Sequence, residues 1–178
     1  RHFYSERRGS GQKTMIPLQK VKHVHFIGIG GIGMSAVARM MLYQRKRVTG
    51  SDLERSPITD ALKKEGARIW IGQHLAKHVS GADLVIYTVA AEGENPEIHA
   101  AIESGVTLMS YPEVLGELSQ SHYTIAVSGT HGKTTTTAMI AKVMCDAGLA
   151  PTVIVGSLLK DGGSNFIAGK GRYLLLEA

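Results

Sequence analysis

Apolar and polar positions along the chain alternate between a strand-like and a helix-like rhythm. Lys22 to Ile27 runs into an apolar stretch and reads as a strand; Met34 to Tyr43, apolar and unbroken, reads as a helix. Arg47 to Thr49 is a short strand, closed by the turn-like Gly50-Ser51-Asp52. Ser56-Pro57 opens a helix that runs to about Glu65, and Gly66 ends it. Ala67 to Ile71 is read as a strand, Leu75 to Val79 as a short helix, and Ala82 to Thr88 as a strongly apolar strand. A loop from Val89 to Asn95 leads to a helix over Pro96 to Glu103, closed by Gly105. Val106 to Met109 is a strand and Glu113 to Leu118 a helix. Such alternation predicts an α/β fold, with a parallel sheet, right-handed crossovers and helices on both faces.

Ser119-Gln120-Ser121-His122 is short and polar and marks a candidate domain boundary. A second α/β unit follows: a strand over 123–127, a helix over 134–147 with Gly148 as its stop, and a strand from Thr152 to Val155. A glycine-rich loop, Lys160 to Gly171, precedes the last strand, Tyr173 to Leu176. The expected organisation is a polar, adventitious or disordered leader over 1–14, a Rossmann-like domain over 15–119, and the incomplete start of a second nucleotide-binding domain over 120–178. Gly9-Ser10-Gly11 resembles a flexible linker, and Met15 could be a natural start. Two or three strands do not complete a nucleotide-binding domain, so the sequence is expected to be a piece of a longer protein.

Both units place a glycine-rich turn between a strand and a helix. In the second, Ser128-Gly129-Thr130-His131-Gly132-Lys133-Thr134-Thr135 brings backbone N–H groups and the positive end of a helix dipole to one spot. Lys133 can reach phosphate oxygens, and the Thr134 hydroxyl can ligate Mg²⁺. The usual phosphate-loop spacing, Gly-x-x-x-x-Gly-Lys-Thr, fails, because Val127 stands where its first glycine belongs. The bland alternative is a polar helix cap. In the first unit, Gly28-Ile29-Gly30-Gly31-Ile32-Gly33-Met34-Ser35 carries Gly-x-Gly-x-x-Gly, with Asp52 at the end of the second strand. Strand, glycines, helix and acid together make the dinucleotide-binding pattern; Asp52 could equally be a solvent-facing turn residue.

Composition narrows the class. The chain has 178 residues, 43% hydrophobic and 20% charged, ordinary values for a globular protein. No apolar run approaches the roughly 18 residues of a membrane span, and no secretory signal is visible. The net charge of +5 and pI of about 9.4 are spread without a basic helix or interleaved aromatics. The charge alone argues only weakly for nucleic acid, and anionic substrates such as nucleotides explain the surplus equally well; neither a nucleic-acid nor a membrane partner is expected. Cys145, the single cysteine, is expected to be buried, which suits a reducing cytoplasm.

Other polar residues have modest readings. His74 and His78 lie four apart but lack a carboxylate beside them in sequence, so exposed histidines are expected rather than a metal pair. His23 and His25 alternate in the first strand and are expected to be satisfied polar groups. Met34, Met40 and Met41 are expected in the core. His131 lies inside the second turn and could face a nucleotide or a neighbouring substrate. Glu177 ends an apolar strand, a position from which an acid often holds Mg²⁺.

The order of these motifs resembles the Mur ligases that act on UDP-N-acetylmuramate. Gly-x-Gly-Gly-x-Gly-Met-Ser matches at Gly28 to Ser35, and Gly-Thr-x-Gly-Lys-Thr-Thr, with its own spacing, at Gly129 to Thr135. Histidine at 131 is similar to the alanine-adding members, and Tyr173 to Ala178 resembles the start of a Glu-Ala-Asp-Glu-Ser segment. The resemblance covers about residues 20–178. It implies a first domain that binds a UDP-sugar rather than NAD. Gly30, Gly31, Ile32, Gly33, Met34 and Ser35 would cradle the diphosphate, with Ser51, Asp52, Thr88, Val89 and Ala90 near the nucleotide. Gly129, Thr130, His131, Gly132, Lys133, Thr134 and Thr135 would bind ATP, and Thr134 and Glu177 would hold Mg²⁺. Lys133 and His131 would have catalytic roles, Lys133 on the β/γ-phosphates and His131 between ATP and substrate. The implied reaction joins L-alanine to the lactyl carboxylate of UDP-N-acetylmuramate through an acyl phosphate; the amino acid would bind to a further domain. This stretch alone would then bind UDP-substrate without ligating. Two rival readings stand beside it. One is an NAD(P)-dependent oxidoreductase, suggested by the first turn alone; the other is a non-enzymatic nucleotide-binding module.

Overall fold

The structure, a computed structural model, describes residues 17–91, 93–157 and 164–177. The leader expected over 1–14, Ala178 and the first part of the loop from Lys160 lie outside the described residues. The first sheet contains β1 (His23–Ile27), β2 (Arg47–Asp52), β3 (Arg68–Ile71), β4 (Leu84–Tyr87) and β5 (Thr107–Ser110), in the order β3-β2-β1-β4-β5. All its pairings are parallel. Helices α1 (Ile32–Tyr43), α2 (Pro57–Lys64) and α4 (Tyr111–Gln120) share one core with Val24, Phe26, Leu84 and Ile86. Helix α3 (Pro96–Glu103) and a 3-10 turn, Ala76–Val79, cover Ile27 and Val85 on the other face. This is the doubly wound arrangement expected.

A second sheet follows: β6 (Tyr123–Val127), β7 (Thr152–Ile154), β8 (Phe166–Ile167) and β9 (Tyr173–Glu177), ordered β6-β9-β7-β8. β8 pairs antiparallel with β7 inside the loop that was expected to be irregular. Helix α5 (Lys133–Asp146) covers one face of this sheet, where Ala141 packs with Val153, Val155 and Leu175.

The other face of the second sheet meets α1. Ile154, Leu174 and Leu176 belong to the same core as Met34, Val37 and Met41. Every residue from Met34 to Met41 is buried, because α1 lies between two sheets and has no solvent face along its middle. That explains why its sequence is apolar all round rather than striped. Three polar groups cross this junction. Asn165, fully buried, donates through Nδ2 to the Ile32 carbonyl and to Ser35 Oγ (2.9 Å). Its Oδ1 accepts from the Arg39 guanidinium at 2.5 Å, and Arg39 also donates to Glu65 at 3.0 Å.

Several expected boundaries move. Gly50-Ser51-Asp52 continues β2 rather than closing it, with Gly50 beside Phe26 and Ile69. A Cβ at Gly50 would lie 2.6 Å from Ile29 Cδ1, so this glycine serves close packing, not a turn. The short helix expected over Leu75 to Val79 is a 3-10 helix, Ala76–Val79. Helix α4 starts at Tyr111, behind a capping box of Ser110 and Glu113, and takes in Ser119 and Gln120 of the expected boundary stretch. Cys145 is exposed, not buried, because it lies on the side of α5 turned away from its sheet.

Asn165→Ala would remove one donor to the Ile32 carbonyl and leave the Arg39 Nη1 without its acceptor inside the junction. The expected loss is about 1–3 kcal/mol in urea unfolding, with Asn165→Asp at least as costly because it replaces a donor by a charge.

Candidate functional site

The first glycine turn leads from β1 into α1. Gly28 has φ +80°, and a Cβ there would lie 2.6 Å from Thr88 Cγ2. The Gly31 N–H donates to the Gly28 carbonyl, and the Ser35 N–H to the Gly31 carbonyl. Among the described residues, the N–H groups of Ile32, Gly33 and Met34 have no acceptor. Such free donors at a helix N-terminus suit an anion. The Gly30 N–H is taken by Asp52, whose Oδ2 accepts it at 2.7 Å. Asp52 therefore closes one side of the turn.

The structure separates the roles of the other residues expected here. Thr88 touches the turn, and Val89 and Ala90 follow in an exposed 3-10 turn at the same edge. Met34 puts its side chain into the core and can offer only its N–H. The Ser35 hydroxyl donates to the Ile32 carbonyl and accepts from Asn165, so it braces the turn instead of lining it. The Ser51 hydroxyl is buried and turned to the opposite face of the sheet, where it donates to Glu97 Oε2 at 2.5 Å.

The second turn leads from β6 into α5. Gly132 adopts φ +76° immediately before Lys133. Residues 128–132 are exposed, and Lys133 and Thr134 are half-buried. The Thr134 hydroxyl lies 2.9 and 3.1 Å from the two Glu177 oxygens. Glu177 reaches it because β9 pairs directly with β6, placing Glu177 opposite Val127. The Gly156 N–H holds the same carboxylate at 2.9 Å. Among the described residues, His131 and Lys133 have no side-chain hydrogen bond or ion pair. Hydroxyl and carboxylate oxygens at this separation are the hard donor set that suits Mg²⁺.

Tyr111 packs on the first turn, and the sequence offered no sign of this. A Cβ on Gly33 would lie 2.5 Å from the Tyr111 ring, so the ring packs across the start of α1. The Tyr111 hydroxyl has its pKa raised, by burial first and by the Glu177 charge second. The ring thus packs on the first turn, and the Glu177 charge acts on its hydroxyl.

A buried polar cluster lies under the first sheet, on the α3 side. Glu97 is fully buried and accepts from Ser51, from His78 Nδ1 at 2.6 Å and from His25 Nε2 at 3.3 Å. His74 Nδ1 approaches the same carboxylate at 3.3 Å. His25 Nδ1 and His23 Nε2 both meet Thr49 Oγ1 at 2.9 Å. Burial opposes the Glu97 charge, but hydrogen bonds from His25, Ser51 and His78 outweigh it and hold the carboxyl at about 2. The exposed state expected for His74 and His78 is therefore wrong: His78 is buried and stacks on Trp70 at 4.5 Å. The carboxylate missing from their sequence neighbourhood comes from α3. Among the described residues no group of three metal-type side chains has a metal-holding arrangement. The expectation for His23 and His25 holds. The available signal was Thr49 and Ser51 beside His23 and His25, polar positions in strands covered on both faces.

Two strand–glycine turn–helix units, each opening at the carboxyl ends of parallel strands, define a ligand-binding class of α/β protein. A family model described as Mur ligase family, catalytic domain, matches residues 23–123, and the chain belongs to that family. A UDP-N-acetylmuramate–L-alanine ligase of Clostridium botulinum is 46% identical over 160 residues, covering 89% of this chain and 35% of the relative. The UDP-N-acetylmuramate-alanine ligase of Thermotoga maritima superposes with a TM-score of 0.76 at 37% identity, over 88% of this chain and 37% of that one. A UDP-N-acetylmuramate:L-alanyl-gamma-D-glutamyl-meso-diaminopimelate ligase from Neisseria meningitides gives 0.79 at 28% identity, over 88% and 52%. The chain spans about a third, 35%, of the length of the curated relatives it matches.

Glu97 has a clear pH signature. Its folded value of about 2 lies below the ordinary 4.5. Its stabilisation is therefore complete above pH 4.5 and is lost as pH falls towards 2. The gap corresponds to about 3 kcal/mol. Glu97→Gln is expected to lower urea stability by about that much at pH 7, with the deficit narrowing below pH 4.5. A deficit constant from pH 7 to 3 would show that the charge contributes nothing.

Proposed function

We propose that this chain supplies the UDP-substrate site and the phosphate loop of an ATP-dependent ligase that adds L-alanine to UDP-N-acetylmuramate, in cytoplasmic peptidoglycan precursor synthesis. The observation that carries the reading is the packing of the second unit on α1, the helix that the first glycine turn opens. A sugar nucleotide held at one turn and a triphosphate at the other would be neighbours. Residues 15–119 would form the UDP-substrate domain and 120–178 the first part of the ATP domain.

In this reading the free N–H groups of Ile32, Gly33 and Met34 hold the diphosphate, and Gly30 and Gly31 let it approach. Asp52 and the Thr88–Ala90 turn border the nucleoside, and Ser51 and Ser35 act from behind. The Gly129–Thr135 loop wraps the triphosphate, Lys133 neutralises its β- and γ-phosphates, and His131 faces the gap between nucleotide and sugar. Thr134 and Glu177 would hold Mg²⁺, which supplies charge neutralisation on the phosphates. The lactyl carboxylate oxygen attacks the γ-phosphorus and ADP leaves. The alanine nitrogen then attacks the acyl carbon, phosphate leaves, and the nitrogen loses its proton. The protein's share is orientation and fixed positive charge rather than covalent chemistry.

Calorimetry tests the first half. UDP-N-acetylmuramate should give saturable heat with this chain, and NADH should give none; absence of heat at millimolar sugar nucleotide, or tight NADH binding, contradicts it. For the second half, Lys133→Ala is expected to weaken ATP binding by about tenfold or more while leaving UDP-N-acetylmuramate affinity unchanged.

A further inference from the structure

The first sheet carries a second concave feature, at the edge opposite the glycine turns. A half-open cavity of about 390 Å³ lies where β1, β2 and β3 begin, on the α3 side. Its walls include His23, Arg47, Arg68, Trp70, Lys77 and His78, and none of its lining residues is acidic. Arg47, Arg68 and Lys77 are exposed, and among the described residues none forms an ion pair. Three like charges around one hollow repel each other, and among the described residues none of the three is in an ion pair. Two acids near the floor are held by other donors. Asp83 accepts the N–H groups of Lys22 and His23 at 2.8 and 2.9 Å. Glu97, beneath the floor, is saturated by Ser51 and the histidines.

The floor of the cavity is rigid. His23 is held between the Gly81 carbonyl at 2.6 Å and Thr49 Oγ1 at 2.9 Å. His78 is fixed by Glu97 and by its stack on Trp70. The Arg68 guanidinium lies 5.0 Å from the Trp70 ring centroid, which orients it before any ligand arrives. Burial, followed by the Arg47 charge, lowers the pKa of His23. An anion in the hollow would relieve the repulsion that Arg47 exerts. Guanidinium groups are suited to the paired oxygens of phosphate. The volume falls within the usual range of small-molecule sites, roughly 300–1,000 Å³, and exceeds what one phosphate fills.

We propose that this hollow is a binding site for a small phosphorylated anion with two or more phosphate groups, distinct from both glycine turns. It is independent of the ligase reading, because both turns open at the carboxyl ends of the strands and this site opens at their amino ends.

Trp70 is the only tryptophan and lines the site, so its emission reports occupancy. Inorganic pyrophosphate, titrated at constant ionic strength with saturating UDP present, should give a saturable change. Arg47→Ala and Lys77→Ala, at exposed positions, should each weaken it by about tenfold, and Lys133→Ala should leave it unchanged. The proposal is overturned if the change survives both cavity variants or disappears with Lys133→Ala. It is also overturned if Trp70 shows no saturable change and the pyrophosphate heat of the Arg47→Ala/Lys77→Ala double variant equals that of the unaltered chain.

Discussion

Helix α1 is packed on two sides, against the first sheet and against β7, β8 and β9 of the second. Most of the architecture follows from that constraint. A helix so placed can turn no polar stripe to solvent, so its middle is Met, Ala and Val, and its one cation, Arg39, must be paired inside. The same burial fixes the start of the helix. Asn165 grips the Ile32 carbonyl and Ser35, and the Tyr111 ring closes over Gly33. The free N–H groups of Ile32, Gly33 and Met34 are therefore aimed by contacts from both sheets. A ligand at that turn and one at the Thr134–Glu177 pair would share a single rigid frame.

Much of this frame was legible in the sequence. The strand–helix alternation and both glycine turns depend on local chemistry, and local chemistry can be read from residue order. The failed phosphate-loop spacing, with Val127 in place of a glycine, was informative for the same reason. What escaped were partners distant in sequence. Glu97 draws its donors from His25, Ser51 and His78, which lie on β1, β2 and a 3-10 turn. Asn165 meets residues on α1 from within a loop of small and polar residues. The Gly-Ser-Asp run at 50–52 looked like a turn because glycine there answers to Ile29 and the Phe26 carbonyl, contacts that sequence order does not reveal.

The two edges of the first sheet differ in chemistry. At the carboxyl edge the donors are backbone N–H groups, and the acid Asp52 is tied to Gly30. At the amino edge the charge is carried by side chains, Arg47, Arg68 and Lys77, above a floor of histidines. Between them runs a buried set of contacts, His23 to Thr49, Thr49 to His25, His25 to Glu97 and Glu97 to Ser51. Fully satisfied polar groups of this kind rigidify a sheet and fix its register.

The central claim is that the start of α1, braced from both sheets, receives the diphosphate of a UDP-sugar. Amide NMR of the ¹⁵N-labelled chain during titration with UDP-N-acetylmuramate tests it most directly. The account expects the largest shifts at Ile32, Gly33 and Met34, with a smaller one at Gly30 as Asp52 adjusts. Shifts confined to other parts of the chain, with Ile32 to Met34 unmoved at saturation, would contradict it.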